Sequence, residues 1–144
     1  MSESAFLPDV NVLVALSDPS HINHLVADHW RQQIEAATFI LCPITEAGFV
    51  RLMANPSVGD LSMSGALLLL DKITALPNVF HLPVAPSWLE LVSPFFSRLH
   101  GYRQVTDALL LGLAVRNGAV LVTLDRSIHA LAGEAYAANL LTLD

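Results

Sequence analysis

A chain of 144 residues with 53% hydrophobic and 14% charged residues has the material for one sizeable core, and disorder over most of its length is excluded. A formal charge of −6, with Lys72 the only lysine, argues against a general basic coat for nucleic acid. Mean hydropathy of +0.54 does not signal a membrane protein, because the longest helical apolar run, about Ala108 to Val115, is far short of the ~20 residues a span needs.

Met1 to Asp9 has neither the basic start nor the apolar stretch of a secretory signal. Cys42 is the sole cysteine, so no intrachain disulfide can form, and a reducing, cytoplasmic setting without membrane attachment is expected. No repeat or linker divides the sequence, and residues 1–144 read as one domain. Short apolar runs alternate with longer helical patterns, which predicts an α/β fold with a central parallel sheet of about five strands and helices on both faces.

In chain order, the first predicted strand is Ser4–Leu7, followed by a short helix over Val10–Leu16 that Ser17-Asp18-Pro19 closes. Ser20 is a candidate cap for a helix over His21–Ala36. A strand at Thr38–Cys42 leads to a helix near Ile44–Ala54, bracketed by Pro43 and Asn55-Pro56. Helices over Ser62–Leu76 and Ser87–His100 flank a strand at Val79–Leu82. The nearly all-apolar helix Val105–Asn117 stops at Gly118 and is expected to be buried on most sides. A strand at Ala119–Leu124, a short helix over Ser127–Leu131 and a strand at Asn139–Leu143 complete the pattern.

Four acids sit where solvation alone would not put them. Asp9 follows the first strand, Glu46 opens the helix after the second, Asp107 lies in the first turn of the apolar helix, and Asp125 follows the strand Val120-Leu121-Val122-Thr123-Leu124. Glu46 shares its helix face with Phe49, Val50 and Met53. Ligands of an open parallel sheet bind beyond the carboxyl ends of the strands, so these remote acids are placed to meet at one edge. Two carboxylates about 4 Å apart repel by roughly 4 kcal/mol at an effective dielectric near 20. Four in one pocket call for protonation or a cation. Hard oxygen donors select Mg²⁺ or Mn²⁺ over zinc, and such ions suit phosphodiester hydrolysis by activated water.

Singly, each acid has a plainer explanation. Asp9 could be a turn residue, Asp107 a helix-start acid favoured by the dipole, and Asp125 a cap for the last helix. Their joint placement favours the functional reading.

The segments Asp9-Val10-Asn11-Val12-Leu13-Val14-Ala15-Leu16, Thr45-Glu46 with Arg51 and Asn55-Pro56, Thr106-Asp107-Ala108, and Leu121-Val122-Thr123-Leu124-Asp125-Arg126 resemble the PIN domain, specifically the VapC-type toxin ribonucleases. The resemblance runs from about residue 5 to 143. It implies that Asp9, Glu46, Asp107 and Asp125 bind one or two Mg²⁺ or Mn²⁺ ions. It further implies RNA cleavage leaving a 5′-phosphate and a 3′-hydroxyl, homodimerisation, and inhibition by a cognate antitoxin protein. Asn11 and Thr123 look like the family's supporting polar positions. Many relatives carry another acid where this chain has Ser127, which bears on the second metal more than on the first.

Arg103 and Arg126 flank Asp107 and Asp125 and are candidates for RNA phosphate contacts, with surface ion pairs as the alternative. His21, His24 and His29 with Asp28 invite a zinc reading, against which a partly exposed helix face beside Trp30 is preferred. The run Leu67–Leu70, with Trp88, Phe95 and Phe96, reads as core or partner surface. Two rival functions remain. One is a phosphatase of the haloacid-dehalogenase type, which needs a second acid where Asn11 stands and a lysine that Lys72 is poorly placed to supply. The other is a non-cleaving PIN-like module that binds RNA or protein.

Overall fold

The computed structural model describes residues 4–34 and 36–144. Five strands form one sheet: β1 (Ala5–Pro8), β2 (Thr38–Leu41), β3 (Val79–His81), β4 (Val120–Thr123) and β5 (Leu140–Thr142). All pairings are parallel and the spatial order is β3-β2-β1-β4-β5. Leu7 lies opposite Leu121, Phe6 opposite Phe39, and Leu41 opposite His81. The expected parallel sheet is therefore present, with five strands.

Helices cover both faces, as apolar side chains on both sides of the strands require. Leu7, Ile40, Leu121 and Leu140 face α5 (Trp88–Val92), the 3₁₀ segment after it and α6 (Val105–Arg116), where Leu91, Phe95, Leu110, Leu111 and Leu113 bury them. On the other face Phe6, Phe39 and Val122 meet α1 (Val10–Ser17) and α2 (His24–Gln33) through Val12, Ala15, Ala27 and Trp30. The Trp30 ring stands edge-on to Phe6 and Phe39, with centroids 5.5 and 5.9 Å away. Leu41 completes that face with Phe49 and Met53 of α3 (Pro43–Met53) and Ala66 of α4 (Met63–Thr74). Each fully buried leucine or phenylalanine contributes about 1.5–3 kcal/mol, so α6, buried from Ala108 to Ala114, is a main support of the fold.

Two predicted helices differ from the observed ones for identifiable reasons. Ser20 does not cap a helix at His21, because Asp18 Oδ1 accepts both the Ser20 N–H (3.0 Å) and its hydroxyl (2.9 Å), which makes a turn. α2 accordingly starts at His24; the predicted far end of this helix ran through Glu35, which lies outside the described residues. The helix expected over Ser87–His100 breaks after Val92 into a 3₁₀ segment, Ser93–Arg98. Pro94 has no N–H to give to an α-helical carbonyl, and Ser93 Oγ instead donates to Glu90 O at 2.9 Å. After β4 the chain makes a 3₁₀ turn, Arg126–Ile128, before the four-residue α7 (His129–Ala132).

No described helix is long and apolar enough to cross a membrane.

Candidate metal centre

The chain runs outward from β1 through β2 to β3 and then returns to place β4 on the other side of β1. That reversal is a switch point of the sheet, and ligands of open α/β sheets bind at such points beyond the carboxyl ends of the strands, here those of β1 and β4. Asp9 is the first residue after β1, and its N–H donates to Val122 O of β4 at 2.9 Å. Its extended backbone makes it the N-cap of α1, with Oδ1 accepting the Val12 N–H at 2.9 Å. Oδ2 accepts the Thr123 hydroxyl at 2.6 Å. Asp9 is 7% exposed and Thr123 is fully buried. Asn11 lies exposed in the first turn of α1 and supports Asp9 through its backbone N–H.

Thr123 also accepts, at 3.0 Å, the N–H of Asp125. The Asp125 carboxylate in turn takes the Ser127 N–H at 2.9 Å, so it caps the turn that follows β4. Asp107 enters from the first turn of α6 and is half-buried. Burial, then the charges of Asp125 and Asp9, push its carboxyl up to about 6. Burial raises Asp9 as well, opposed by the hydrogen bonds from Thr123 and Val12 and assisted by the charge of Asp125. The three aspartates thus share one electrostatic neighbourhood. Among the described residues no arginine or lysine pairs with any of them.

Glu46 stands in the first turn of α3, beside the same sheet edge. Cys42 and Thr45 fix that turn: Thr45 Oγ1 accepts the Cys42 N–H at 3.1 Å, and Cys42 O accepts the Glu46 N–H at 2.9 Å. Gly48, two residues on, brings α3 against α1, since a Cβ there would lie 2.5 Å from a methyl carbon of Val10. The carboxylate itself is paired with His81, Nδ1 to Oε1, at 3.0 Å. The Asp107 carboxyl responds to the charges of Asp125 and Asp9, and the Asp9 carboxyl to that of Asp125; Glu46 figures in neither. His81 stands outside the acid pattern of the sequence, although it ends β3 at the carboxyl edge of the sheet.

Among the described residues no three carboxylate, imidazole or thiol groups stand as a ready-made metal cage. The three aspartates offer only hard oxygens and, among the described residues, pair with no arginine or lysine, so they suit a hydrated divalent ion that keeps several of its waters. The histidines of the α2 region are engaged locally. His24 donates from Nδ1 to Ala15 O at 2.7 Å, and His21 Nδ1 accepts the Asn23 N–H at 3.0 Å. Arg126 pairs with Asp144 at 3.4 Å, both exposed, and Arg103 lies over the Tyr102 ring at 5.9 Å. Leu67 and Leu68 are exposed, Phe95 is core and Phe96 half-exposed.

A sequence profile of the PIN domain matches residues 6–134, the span that carries all four acids. The chain belongs to the PIN-domain family. It is a VapC-type ribonuclease of that family. Ribonuclease VapC38 of Mycobacterium tuberculosis (strain ATCC 25618 / H37Rv) is 41% identical to it over 128 residues, covering 88% of this chain and 89% of its own. Ribonuclease VapC44 of Mycobacterium tuberculosis (strain CDC 1551 / Oshkosh) is 40% identical over 124 residues, 85% and 87% of the two chains. The fold is likewise that of solved PIN proteins. VapBC2 from Rickettsia felis, bound to a DNA fragment from its promoter, superposes with a TM-score of 0.65 at 14% identity, over 97% of this chain and 99% of that one. VapC20 of Mycobacterium tuberculosis, a sarcin–ricin-loop-cleaving toxin, gives 0.60 at 15%, over 94% and 96%. Family membership removes the haloacid-dehalogenase alternative and implies divalent-metal use in general terms.

Proposed function

We propose that Asp9, Glu46, Asp107 and Asp125 hold one or two Mg²⁺ or Mn²⁺ ions and that the chain, as the toxin of a toxin–antitoxin pair, cleaves RNA there. What supports this reading is that Thr123 ties Asp9 to Asp125 at the switch point of the sheet, that the charges of both raise the Asp107 carboxyl after its burial, and that among the described residues no arginine or lysine pairs with any of the three. A bound divalent cation supplies Lewis acidity, screening the phosphodiester charge and making water a stronger nucleophile.

The protein's own groups do the rest. Thr123 and the Val12 N–H hold Asp9 in one orientation, leaving it little freedom to lose on binding. Asp107, raised to about 6 by burial and then by the charges of Asp125 and Asp9, would hold a divalent cation in its deprotonated form. Arg103 and Arg126 are exposed at the ends of α6 and β4, where guanidinium groups can take RNA phosphates. The Arg126–Asp144 pair is a surface contact worth about 0–1 kcal/mol at most, weak enough for a phosphate to displace.

An antitoxin protein is the proposed partner, and a homodimer the proposed assembly. The uncovered apolar side chains Met63, Leu67 and Leu68 of α4 support a covered surface. Incubation of the purified chain with RNA in Mg²⁺, and again in EDTA, tests the activity together with Asp9→Asn. Cleavage that needs the ion and falls by at least about 100-fold in the variant is expected. Equal cleavage by the variant, or tight RNA binding with no cleavage, contradicts it.

A further inference from the structure

Glu46 opens the helix that follows β2, and His81 ends the neighbouring strand β3. Leu41, the last residue of β2, is in register with His81, the last of β3, and the Leu82 N–H donates to Leu41 O at 2.8 Å. Five residues after Leu41 the capped start of α3 delivers Glu46. Both backbones are therefore fixed, and the imidazole meets the carboxylate by its Nδ1 at 3.0 Å from Oε1. The carboxylate is 21% exposed and the imidazole 57%. A glutamate has three side-chain torsions and, unheld, samples many orientations. The contact takes one oxygen and leaves the other for a cation.

We propose that His81 is a positioning residue for Glu46: its Nδ1–H orients the Glu46 carboxylate for the divalent ion. The inference rests on Glu46 being a metal ligand, as proposed above. Ligating carboxylates depend on hydrogen bonds from their neighbours, and losing such a partner lowers metal affinity by about 10–100-fold. With the imidazole more than half exposed, a loss near the lower end, about tenfold, is expected.

The roles of the ring nitrogens give the test its resolution. An asparagine amide places an N–H close to where Nδ1 stands, whereas a glutamine amide reaches as far as Nε2. Neither amide titrates, so rescue cannot come from charge. Binding of Mn²⁺ to the full chain without RNA, followed by the loss of the free-ion electron paramagnetic resonance signal, is the readout, with thermal unfolding in parallel. His81→Ala is expected to weaken Mn²⁺ binding about tenfold with an unchanged unfolding midpoint. His81→Asn is expected to restore it to within about threefold and His81→Gln to leave it weak. In a Glu46→Gln background, His81→Ala should add nothing.

Wild-type affinity in His81→Ala, or equal affinities in the asparagine and glutamine variants, overturns the inference. If His81→Ala does not fold, the asparagine and glutamine pair decides. The reading beneath it fails separately: unchanged Mn²⁺ affinity in Glu46→Gln removes Glu46 as a ligand, and a wild-type chain that binds no Mn²⁺ removes the site.

Discussion

Thr123 donates its hydroxyl to Asp9 Oδ2 at 2.6 Å across 114 residues of chain, and the Thr123 Oγ1 atom itself accepts the N–H of Asp125 at 3.0 Å. One fully buried side chain thus ties together the acids at the ends of β1 and β4. Replacing it by valine keeps the shape and removes both hydrogen bonds. A buried carboxylate oxygen left without its donor costs about 1–3 kcal/mol. Thr123→Val is therefore expected to unfold at lower urea concentration and to lose RNA cleavage, whereas Thr123→Ser keeps most of both. Since the Thr123 bond lowers the Asp9 carboxyl against its burial, the valine variant should also need higher pH for Mn²⁺ binding. A valine variant with wild-type stability and cleavage would remove Thr123 from the account.

The raised carboxyl of Asp107 makes a prediction with a definite sign. Its ordinary value is 3.8 and in the fold it is about 6, so the folded protein binds this proton more tightly than the unfolded chain. The contribution to stability is complete below 3.8 and is lost as pH rises through about 6. A displacement of this size is worth ~3 kcal/mol in a dry site, and solvent at a half-buried group reduces it to about 1 kcal/mol. Asp107→Asn, which mimics the protonated form, should therefore be more stable than the parent by about 1 kcal/mol at pH ~7.5, with the gap closing at pH ~4.5. Urea titrations at the two pH values check this. A variant less stable than the parent at the higher pH contradicts a carboxyl raised by burial and then by the charges of Asp125 and Asp9.

Gly112 sits in the middle of α6, where helix propensity alone favours alanine by about 1 kcal/mol. The approach of α5 reverses that expectation. A Cβ at Gly112 would run into the carbonyl oxygen of Leu91 and lie 2.8 Å from its carbonyl carbon. Backbone cannot step aside as a flexible side chain can, so Gly112→Ala is expected to cost about 2 kcal/mol and lower the unfolding midpoint by about 5 °C. A higher midpoint would show that propensity outweighs the contact.

Strand positions were legible because each is a short apolar run whose alternate residues serve two helical layers: Phe6 packs on one face and Leu7 on the other. Asp9, Asp107 and Asp125 were legible because carboxylates following apolar strands or opening an apolar helix are electrostatically out of place. What the sequence concealed depended on local competition. Asp18 took the Ser20 groups that would have capped a longer α2, and Pro94 broke an otherwise helical run. The Glu46–His81 pair was hidden for another reason. It depends on the register between β2 and β3, and no spacing within the chain reports which residues two strands place side by side. The same holds for Gly112, whose necessity lies in a neighbour 21 positions earlier in the sequence.

The most direct measurement is anomalous diffraction from crystals of the full chain soaked in Mn²⁺. The account predicts a peak beyond the ends of β1 and β4, within coordination distance of Asp9 and at least one of Asp107 and Asp125, and none in crystals of Asp9→Asn. Clear electron density for the three aspartates with no peak between them, at Mn²⁺ concentrations that support cleavage, would contradict it.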